Sequence, residues 1–413
     1  MSEKNYVAGL DAGTSKICCV VADATDLTQP RIVGLGMSER TGIRGGAVID
    51  LEEAAAGIRE AVAKASRRAG DIVIDSVTAG IGGEHLKSLN GTATMAITAA
   101  KDEVTRKDIN RVFEASKSLA LQNDRVIIRA VPRAFTVDGL EGVKSPLGMY
   151  AKRLDVETHI ITASVAAANN ILKAAEMAGV AVNGCVPVPS ASAENVLTDH
   201  ERERGVILLD VGAGTTDVCV YHRGEPRYTA SLALAGSTVT DDIAIVLKMG
   251  TEEAEEAKKE SLPVDAPIFD YYEMTPENES QRVAVQKGLI SSIIKARMIE
   301  IFEMIRDDIG KETNFDDIGA GVVLTGGGAR VACAEEYAEK VFGMPVRMGV
   351  PAAEGVLADA VAEPEYSAAV GLIECGIKSL RDEYNNDAFR KVRGAKDKFY
   401  EWMRKIFRPG SRI

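Results

Sequence analysis

Several residue patterns that mark common site types are missing from this sequence. Its four histidines lie far apart and form no HExxH-like array, which argues against a zinc site. Its six cysteines show no CxxC spacing and most lie inside apolar runs, so we expect reduced, structural thiols. The chain contains neither GxxxxGK[ST] nor a GxGxxG in a strand-to-helix setting, which disfavours P-loop and dinucleotide sites.

Long apolar runs are also missing. No stretch reaches the roughly 18 apolar residues that a membrane-spanning helix needs. The beginning, "MSEKNYVAGLD", has no basic region followed by an apolar run. We therefore expect the protein to remain in the cytoplasm.

Length and composition favour a folded protein of more than one lobe. The 413 residues exceed what one ordinary core accommodates, and 46% of them are hydrophobic. Thirty-eight glycines, few aromatics and abundant Ala and Val are typical of many short strands and helices joined by tight turns. The composition predicts an α/β protein of two lobes or more.

Charge is unevenly distributed along the chain. Residues 388–413 hold nine Lys or Arg against two acidic residues, a net of +7, although the whole chain carries -12. The acidic remainder argues against nucleic acid as a ligand, and the basic end predicts an anionic target there.

Two segments share one β-hairpin pattern. "YVAGLDAGTSKICCVVAD" places a polar turn between two apolar runs, and "GVILLDVGAGTTDVCVYHRG" repeats this design about two hundred residues later. A third site, "GVVLTGGGARV", is a short strand that runs into three glycines and then a helical pattern ending at Gly343. One such hairpin is a weak signal, because Gly, Thr and Asp are common in any turn. Two hairpins and a glycine triplet together indicate a nucleotide held between two lobes.

These motifs resemble those of the actin-like ATPase superfamily, which includes actins, heat-shock chaperones and sugar kinases. "LDAGTSKI" and "LDVGAGTTDV" are similar to its two phosphate motifs, "LTGGGAR" to its adenosine motif, and "AGVAVNGCVPVPSASAENVL" and "PEYSAAVGLIECG" to its connecting segments. The resemblance implies a two-lobe fold with ribonuclease H-like lobes.

Further segments narrow the resemblance to the FtsA family of bacterial cell-division proteins. They include "GGEHLKSLNG", "VPRAFTVDG", "SPLGMYAKRLDVETHIITA" and "SIIKARMIEIFEMI". The resemblance implies the following units: a first lobe core (1–83 and 163–197), an inserted interaction subdomain (84–162), a second lobe core (198–235 and 304–378), its smaller subdomain (236–303), a linker (379–395) and an amphipathic helix (396–408).

The resemblance also implies site residues for ATP and Mg²⁺. The first phosphate group would comprise Asp11, Gly13, Thr14, Ser15 and Lys16, and the second Asp210, Gly212, Gly214, Thr215 and Thr216. The nucleoside would contact Gly236, Ser237, Glu255, Lys258, Gly326, Gly327 and Gly328. Asp11 and Asp210 would orient the metal ion and its waters, as catalytic carboxylates. Glu255 and Lys258 fit an ordinary i,i+3 surface pair equally well.

One departure from the superfamily concerns catalysis. Chaperone ATPases carry Glu-Pro in the first connecting segment, whereas this chain has Val188-Pro189. Without that carboxylate we expect weak or absent ATPase activity. An alternative function, a metabolite kinase of the same fold, would have no use for a basic aromatic C-terminal segment.

The resemblance further implies a function at the division site. Such a protein would polymerise with itself, bind the C-terminal peptide of FtsZ near Arg297 and Glu300, recruit later division proteins, and lie peripherally on the cytoplasmic face of the membrane. An intramolecular salt bridge of Arg297 fits the sequence equally well. Residues Phe399, Trp402, Met403, Ile406 and Phe407 fall within about 140° of a helical projection, flanked by Lys398 and Lys405. This pattern predicts an interfacial helix on anionic lipid.

Overall fold

The computed structural model describes residues 5–98, 102–118, 124–260, 271–274 and 283–385. The strands are β1 (Tyr6–Ala12), β2 (Ile17–Asp23), β3 (Arg31–Ser38), β4 (Ile43–Arg44), β5 (Ala47–Val48), β6 (Ser76–Ile81), β7 (Lys87–Ala96), β8 (Arg125–Val137), β9 (Leu140–Val143), β10 (Arg153–Ser164), β11 (Ala181–Pro187), β12 (Val206–Val211), β13 (Thr216–His222), β14 (Glu225–Leu232), β15 (Tyr271–Met274), β16 (Val283–Gln286), β17 (Val322–Thr325) and β18 (Val346–Met348). The helices are α1 (Leu51–Arg68), α2 (Arg106–Lys117), α3 (Val165–Ala178), α4 (Val188–Val196), α5 (Asp199–Arg204), α6 (Gly236–Leu247), α7 (Thr251–Lys259), α8 (Lys287–Glu312), α9 (Ala334–Phe342) and α10 (Ser367–Asn385). The predicted membrane helix, with Phe399, Trp402, Met403, Lys405, Ile406 and Phe407, lies outside the described residues.

The first lobe is a five-stranded sheet in the order β11-β6-β1-β2-β3. Its strands are apolar on both faces, because helices cover both sides. Leu10 and Cys19 point to the core formed with α1 and α3, whereas Val7 and Val20 point to the core formed with α10. Asp50 caps α1 by accepting a hydrogen bond from the Glu53 backbone N–H.

The second lobe continues a similar design in the sheet order β18-β17-β12-β13-β14. On one face α6, α8 and α9 bury a large apolar core that includes Ile243, Met298 and Phe302. On the other face Val206, Leu208 and Cys219 pack with residues of α4. Helix α8 runs unbroken across the predicted boundary at 303/304, so the smaller subdomain and the lobe core share one long helix.

The inserted subdomain is an antiparallel sheet of β7, β10, β8 and β9 with α2 packed on it. The sequence suggested a small unit of its own. The insert has a core of its own, as that suggestion requires. It also contacts the second lobe, because β7 pairs with β14 at Lys87 and Ala230 within one nine-stranded sheet. A buried polar junction reinforces this contact, in which His159 Nδ1 lies 2.9 Å from Asn90 Oδ1 and His159 Nε2 lies 3.0 Å from Thr229 Oγ1.

The last helix corrects two predicted boundaries. Residues 367–378 were assigned to the second lobe, but Ala369, Ile373 and Ile377 of α10 pack into the first-lobe core. The chain therefore returns to the first lobe after the second connecting segment. The predicted linker began at residue 379, yet α10 continues to Asn385, because a charged composition also suits the solvent side of a helix.

No disulfide joins any of the six cysteines, as expected from their spacing. Within the described ranges, no helix is long and apolar enough to cross a membrane.

Candidate functional site

The turns of the two predicted hairpins have the same local geometry. In the first, the Gly13 N–H donates to the Lys16 carbonyl at 3.0 Å, and in the second, the Gly212 N–H donates to the Thr215 carbonyl at 2.8 Å. The turns meet across the space between the lobes: a Cβ atom placed on Gly214 would stand 2.9 Å from Cβ of Thr14. Glycine is required at position 214 because any side chain would push the two turns apart.

A cleft of about 1480 Å³ opens between the lobes at these turns. Most of the predicted nucleotide residues line it: Asp11, Gly13, Thr14, Ser15, Lys16, Asp210, Gly212, Gly214, Thr215, Gly236, Glu255, Lys258, Gly326, Gly327 and Gly328. Thr216 and Ser237 are not among the lining residues. The Thr216 hydroxyl donates to the Leu234 carbonyl and the Ser237 hydroxyl to the Ala213 carbonyl, so both side chains brace the second turn instead.

The glycine triplet packs directly against the second hairpin. Gly326 has a φ of +87°, and a Cβ atom there would stand 2.8 Å from the Val211 carbonyl carbon. A side chain at this position would meet both a disfavoured backbone conformation and the neighbouring strand end. A 3₁₀ turn at Gly327–Arg330 follows, and α9 begins only at Ala334, later than the strand-turn-helix pattern suggested.

Three carboxyl groups converge at the base of the cleft; Asp210 and Asp217 are buried and Asp11 is half-buried. Burial raises the pKa of Asp11 to about 6 and that of Asp210 to about 6, although Ser192 donates to Asp210 Oδ2 at 2.5 Å. Burial and the nearby Asp210 raise the pKa of Asp217 to about 8. One oxygen of Asp217, Oδ1, is buried without a hydrogen-bond partner among the described residues.

This donor set suits a cation that keeps its own water molecules. No group of three His, Cys, Asp or Glu side chains in the described ranges is close enough to bind a metal ion directly. Asp11, Asp210 and Asp217 nevertheless all line the cleft, and Oδ1 of Asp217 accepts no hydrogen bond from the described residues. Hydrated Mg²⁺ would supply water hydrogens to such oxygens, because Mg²⁺ retains several waters when carboxylates hold it.

Val188 occupies the place where chaperone ATPases carry a glutamate. It lines the cleft, and its Cγ2 atom would lie 3.1 Å from a Cβ on Gly82. The same Gly82 position is 3.8 Å from Asp217 Oδ2, so Asp217 lies beside this apolar surface. Asp217 is therefore a further candidate for orienting water, beside Asp11 and Asp210.

Glu255 and Lys258 form an ion pair that also belongs to the cleft. Lys258 Nζ lies 2.6 Å from Glu255 Oε2 and donates to the Gly236 carbonyl at 3.0 Å. The Lys258 side chain is 9% exposed. The i,i+3 pair weighed from the sequence is therefore present, but it is not a simple surface pair, because Lys258 is buried and anchors α7 to the start of α6 at the cleft wall.

The cleft also contains charged residues that the motifs did not identify. Lys16 Nζ is 2.8 Å from Glu365 Oε1, and Arg330 Nη1 is 3.1 Å from Glu365 Oε2. Lys64, Arg67 and Arg68 of α1 line the same space. Arg330 lies two residues after the glycine triplet and could have been suspected from that position, whereas Glu365 comes near only through the return of the chain to the first lobe.

Arg297 and Glu300 lie outside the residues that line the cleft. Arg297 donates to both oxygens of Asp242, at 2.5 and 2.9 Å, and to Glu300 Oε2 at 2.7 Å. The intramolecular salt bridge weighed from the sequence is therefore present. An acidic peptide would have to compete with two carboxylates for this guanidinium.

Comparisons with known proteins agree with this architecture. Residues 83–162 match the family model "SHS2 domain inserted in FTSA", and residues 207–371 match "Cell division protein FtsA". A Cell division protein FtsA from Pseudomonas aeruginosa is 35% identical over 379 residues, covering 91% of this chain and 90% of that protein. A chain of the "PilM-PilN type IV pilus biogenesis complex" superimposes with a TM-score of 0.62 at 18% identity, over 90% of this chain and 98% of that one.

"MreB5 of Spiroplasma citri bound to ADP" superimposes with a TM-score of 0.54 at 14% identity, over 92% of this chain and 99% of that one. At such identities these two structures establish only the actin-like fold. The family models and the bacterial relative go further: this chain belongs to the FtsA family of actin-like cell-division proteins.

Proposed function

We propose that this protein binds ATP with Mg²⁺ in the interlobe cleft, polymerises with itself, and anchors the FtsZ ring to the cytoplasmic face of the cell membrane. The observation that supports nucleotide binding best is the contact of two matching turns, at Thr14 and Gly214, above a cluster of carboxyl groups. Backbone N–H groups of tight turns are suited to phosphates, and the carboxyl groups to hydrated Mg²⁺. The similar fold of MreB5, whose structure is bound to ADP, supports the same ligand class.

Different residues around the cleft would contact different parts of the nucleotide. Thr14, Ser15 and Lys16 of the first turn and Thr215 of the second would contact the phosphates, whereas Glu255, Lys258 and the glycine triplet would enclose the nucleoside. Because Val188 offers no carboxylate, Asp11, Asp210 and Asp217 at the base of the cleft would have to orient a water molecule. We infer that hydrolysis is slow and that the bound nucleotide mainly controls assembly.

Attachment to the membrane is proposed for the C-terminal segment. Its aromatic and basic pattern suits an interfacial helix, and filament formation would multiply weak single attachments. The inserted subdomain is proposed to contact a neighbouring subunit and other division proteins. Membership of a cell-division family argues against a metabolite kinase.

Substitution of Asp210 tests nucleotide binding. We expect Asp210→Ala to weaken Mg²⁺-dependent binding of a fluorescent ATP analogue by about tenfold or more, because the cation loses a buried carboxylate. Asp359→Ala is a matched control, since Asp359 is exposed on the surface and does not line the cleft. Equal affinities for both variants and for the wild type would reject the proposed site.

Filament formation supplies the second measurement. The wild type with ATP and Mg²⁺ should pellet on ultracentrifugation and form filaments on anionic vesicles, and Asp210→Ala should do neither at the same nucleotide concentration. Filaments that form equally well without nucleotide would separate assembly from the cleft and contradict the proposal.

A further inference from the structure

A second cavity, of about 160 Å³, lies where three parts of the molecule meet. Arg129 of β8 and Ile161 of β10 come from the inserted region, Ser190 and Glu194 from α4, and Arg202 from α5 of the second lobe. None of its lining residues lines the nucleotide cleft. This space, which we name the junction cavity, is therefore separate from the candidate site described above.

Arg129 is the first unusual feature of the junction cavity. It is half-buried, and no carboxylate of the described residues lies within ion-pairing distance of it. Its charge opposes the burial that raises the pKa of the Cys375 thiol, but a neutral thiol cannot serve as its counter-ion. An arginine remains charged at any physiological pH, so a partly buried guanidinium without a counter-ion raises the energy of the folded state.

Arg202 is the second feature. Its Nη2 donates to the Ala193 carbonyl at 2.6 Å and its guanidinium lies 5.3 Å from the centre of the Tyr221 ring. Its Nε is buried and has no hydrogen-bond partner among the described residues. Its nearest carboxylate, Glu194, is 3.8 Å away and is also in close contact with Lys378, so one acid serves two cations.

The charges of the two arginines affect the same two neighbouring groups, Tyr221 and Cys375. Burial raises the pKa of Tyr221 and of Cys375, and the charges of both Arg129 and Arg202 oppose this effect at each group. The remaining acid in the lining is Glu225, whose pKa is raised by burial and which is also attracted by Lys144. Two arginines and two glutamates thus line the junction cavity, but Lys378 and Lys144 share those glutamates, so neither guanidinium has a carboxylate to itself.

We propose that the junction cavity binds a small oxyanion, carrying a carboxylate or phosphate group of a few heavy atoms, between Arg129 and Arg202. The planar guanidinium forks of arginine match the paired oxygens of both groups. The cavity has room for such a ligand, because a single water needs only about 10–15 Å³ of space measured in this way.

The position of the ligand gives it a structural consequence. Arg129 belongs to the inserted region and Arg202 to the second lobe, so an anion between them would add a bridge beside the β7–β14 pairing. Binding should therefore stabilise the folded protein and hold the insert against the second lobe. This inference depends on the fold alone and not on the proposed nucleotide function.

Thermal unfolding of the full chain tests the proposal. Sodium phosphate and sodium acetate are titrated separately to 20 mM, with sodium chloride at matched ionic strength as the reference. We expect a saturable rise in Tm with phosphate, with acetate or with both; a response to one of them identifies the group that the cavity prefers. No rise above that of chloride with either salt would overturn the proposal.

Variants locate the effect. Lys16→Gln weakens any phosphate site in the nucleotide cleft and should keep the response, as should Arg111→Gln, an exposed arginine of the insert. Arg129→Gln should abolish it. Because Arg129→Gln could fail to fold, Glu225→Gln provides a test of opposite sign: removing this acid should tighten anion binding several-fold. The assignment would be refuted if the rise in Tm with the anion is unchanged in both single variants, Arg129→Gln and Glu225→Gln. It would also be refuted if Lys16→Gln abolishes that rise.

Discussion

Lys16 of the first turn is ion-paired with Glu365, which lies in the segment that joins the second lobe back to the first, with Nζ 2.8 Å from Oε1. The same ammonium lies 4.4 Å from the centre of the Tyr366 ring. The lysine proposed to contact phosphate is thus held by residues next to α10. A bound triphosphate would have to compete with Glu365 for this cation.

This competition predicts that Glu365→Gln raises nucleotide affinity. The substitution removes the negative charge that holds Lys16, and because both side chains are partly exposed the gain should be modest, roughly two- to fivefold. The dissociation constant of a fluorescent ADP or ATP analogue measures it. Glu363→Gln is the control, since Glu363 contacts Arg330 at 3.6 Å but not Lys16. A fall in affinity for Glu365→Gln would mean that Glu365 itself supports the nucleotide.

His159 predicts acid sensitivity of the junction between insert and second lobe. Burial, with a smaller effect of Arg129, lowers the pKa of His159 to about 4 from its ordinary value of 6.5. As pH falls through 6.5, the unfolded chain takes up a proton that the folded protein resists. The stability contribution is therefore complete above pH 6.5 and is lost as the pH falls towards 4.

The expected loss between pH 7 and pH 5 is about 2 kcal/mol in the free energy of unfolding. Urea titrations at both pH values measure it. In His159→Gln this pH-dependent difference should shrink by that amount, whereas in His200→Gln, which changes an exposed histidine, it should match the wild type. A difference that is the same in all three proteins would show that His159 does not resist protonation.

A variant of Arg297 tests whether an FtsZ C-terminal peptide binds this chain at α8, as the sequence resemblance implies. Because Asp242 and Glu300 already neutralise this guanidinium, we expect Arg297→Glu to weaken binding of an acidic peptide only about two- to fivefold, mainly by adding a repulsive charge. Fluorescence anisotropy of the labelled peptide measures the affinity. Arg306→Glu, on the same helix, controls for general charge. Equal affinity of Arg297→Glu and wild type would place the peptide elsewhere.

Local patterns predicted the turns of the site well, because Gly13, Gly212 and Gly214 sit where backbone geometry and close approach permit little else. The sequence pattern did not predict the side-chain direction of Thr216. This residue begins β13, and its hydroxyl donates to the Leu234 carbonyl instead of facing the cleft.

Tertiary relationships could not be predicted from such patterns. The return of α10 to the first lobe brings Glu365 to Lys16 across 349 positions of sequence. The β7–β14 pairing joins strands of two different units, and the sequence of neither strand indicates which strand it pairs with. Long-range contacts of this kind depend on the packing of whole elements, so local patterns reveal the motifs of the cleft but not the junction between the insert and the second lobe.

The C-terminal segment yields the last prediction. On an anionic leaflet each Lys or Arg contributes roughly 1 kcal/mol, so the basic residues near Trp402 should give a single copy modest, reversible affinity. Trp402→Glu, or truncation after Ala395, should abolish co-sedimentation with vesicles that contain anionic lipid and leave binding of the ATP analogue unchanged. Glu401→Gln is the matched control, because Glu401 falls opposite the apolar face of the projected helix and its loss removes only repulsion. Wild-type binding should weaken with added salt, and should be weaker on neutral vesicles, because the attraction is electrostatic. If the truncated protein still sediments with anionic vesicles and salt has no effect, another surface of the molecule attaches it to the membrane.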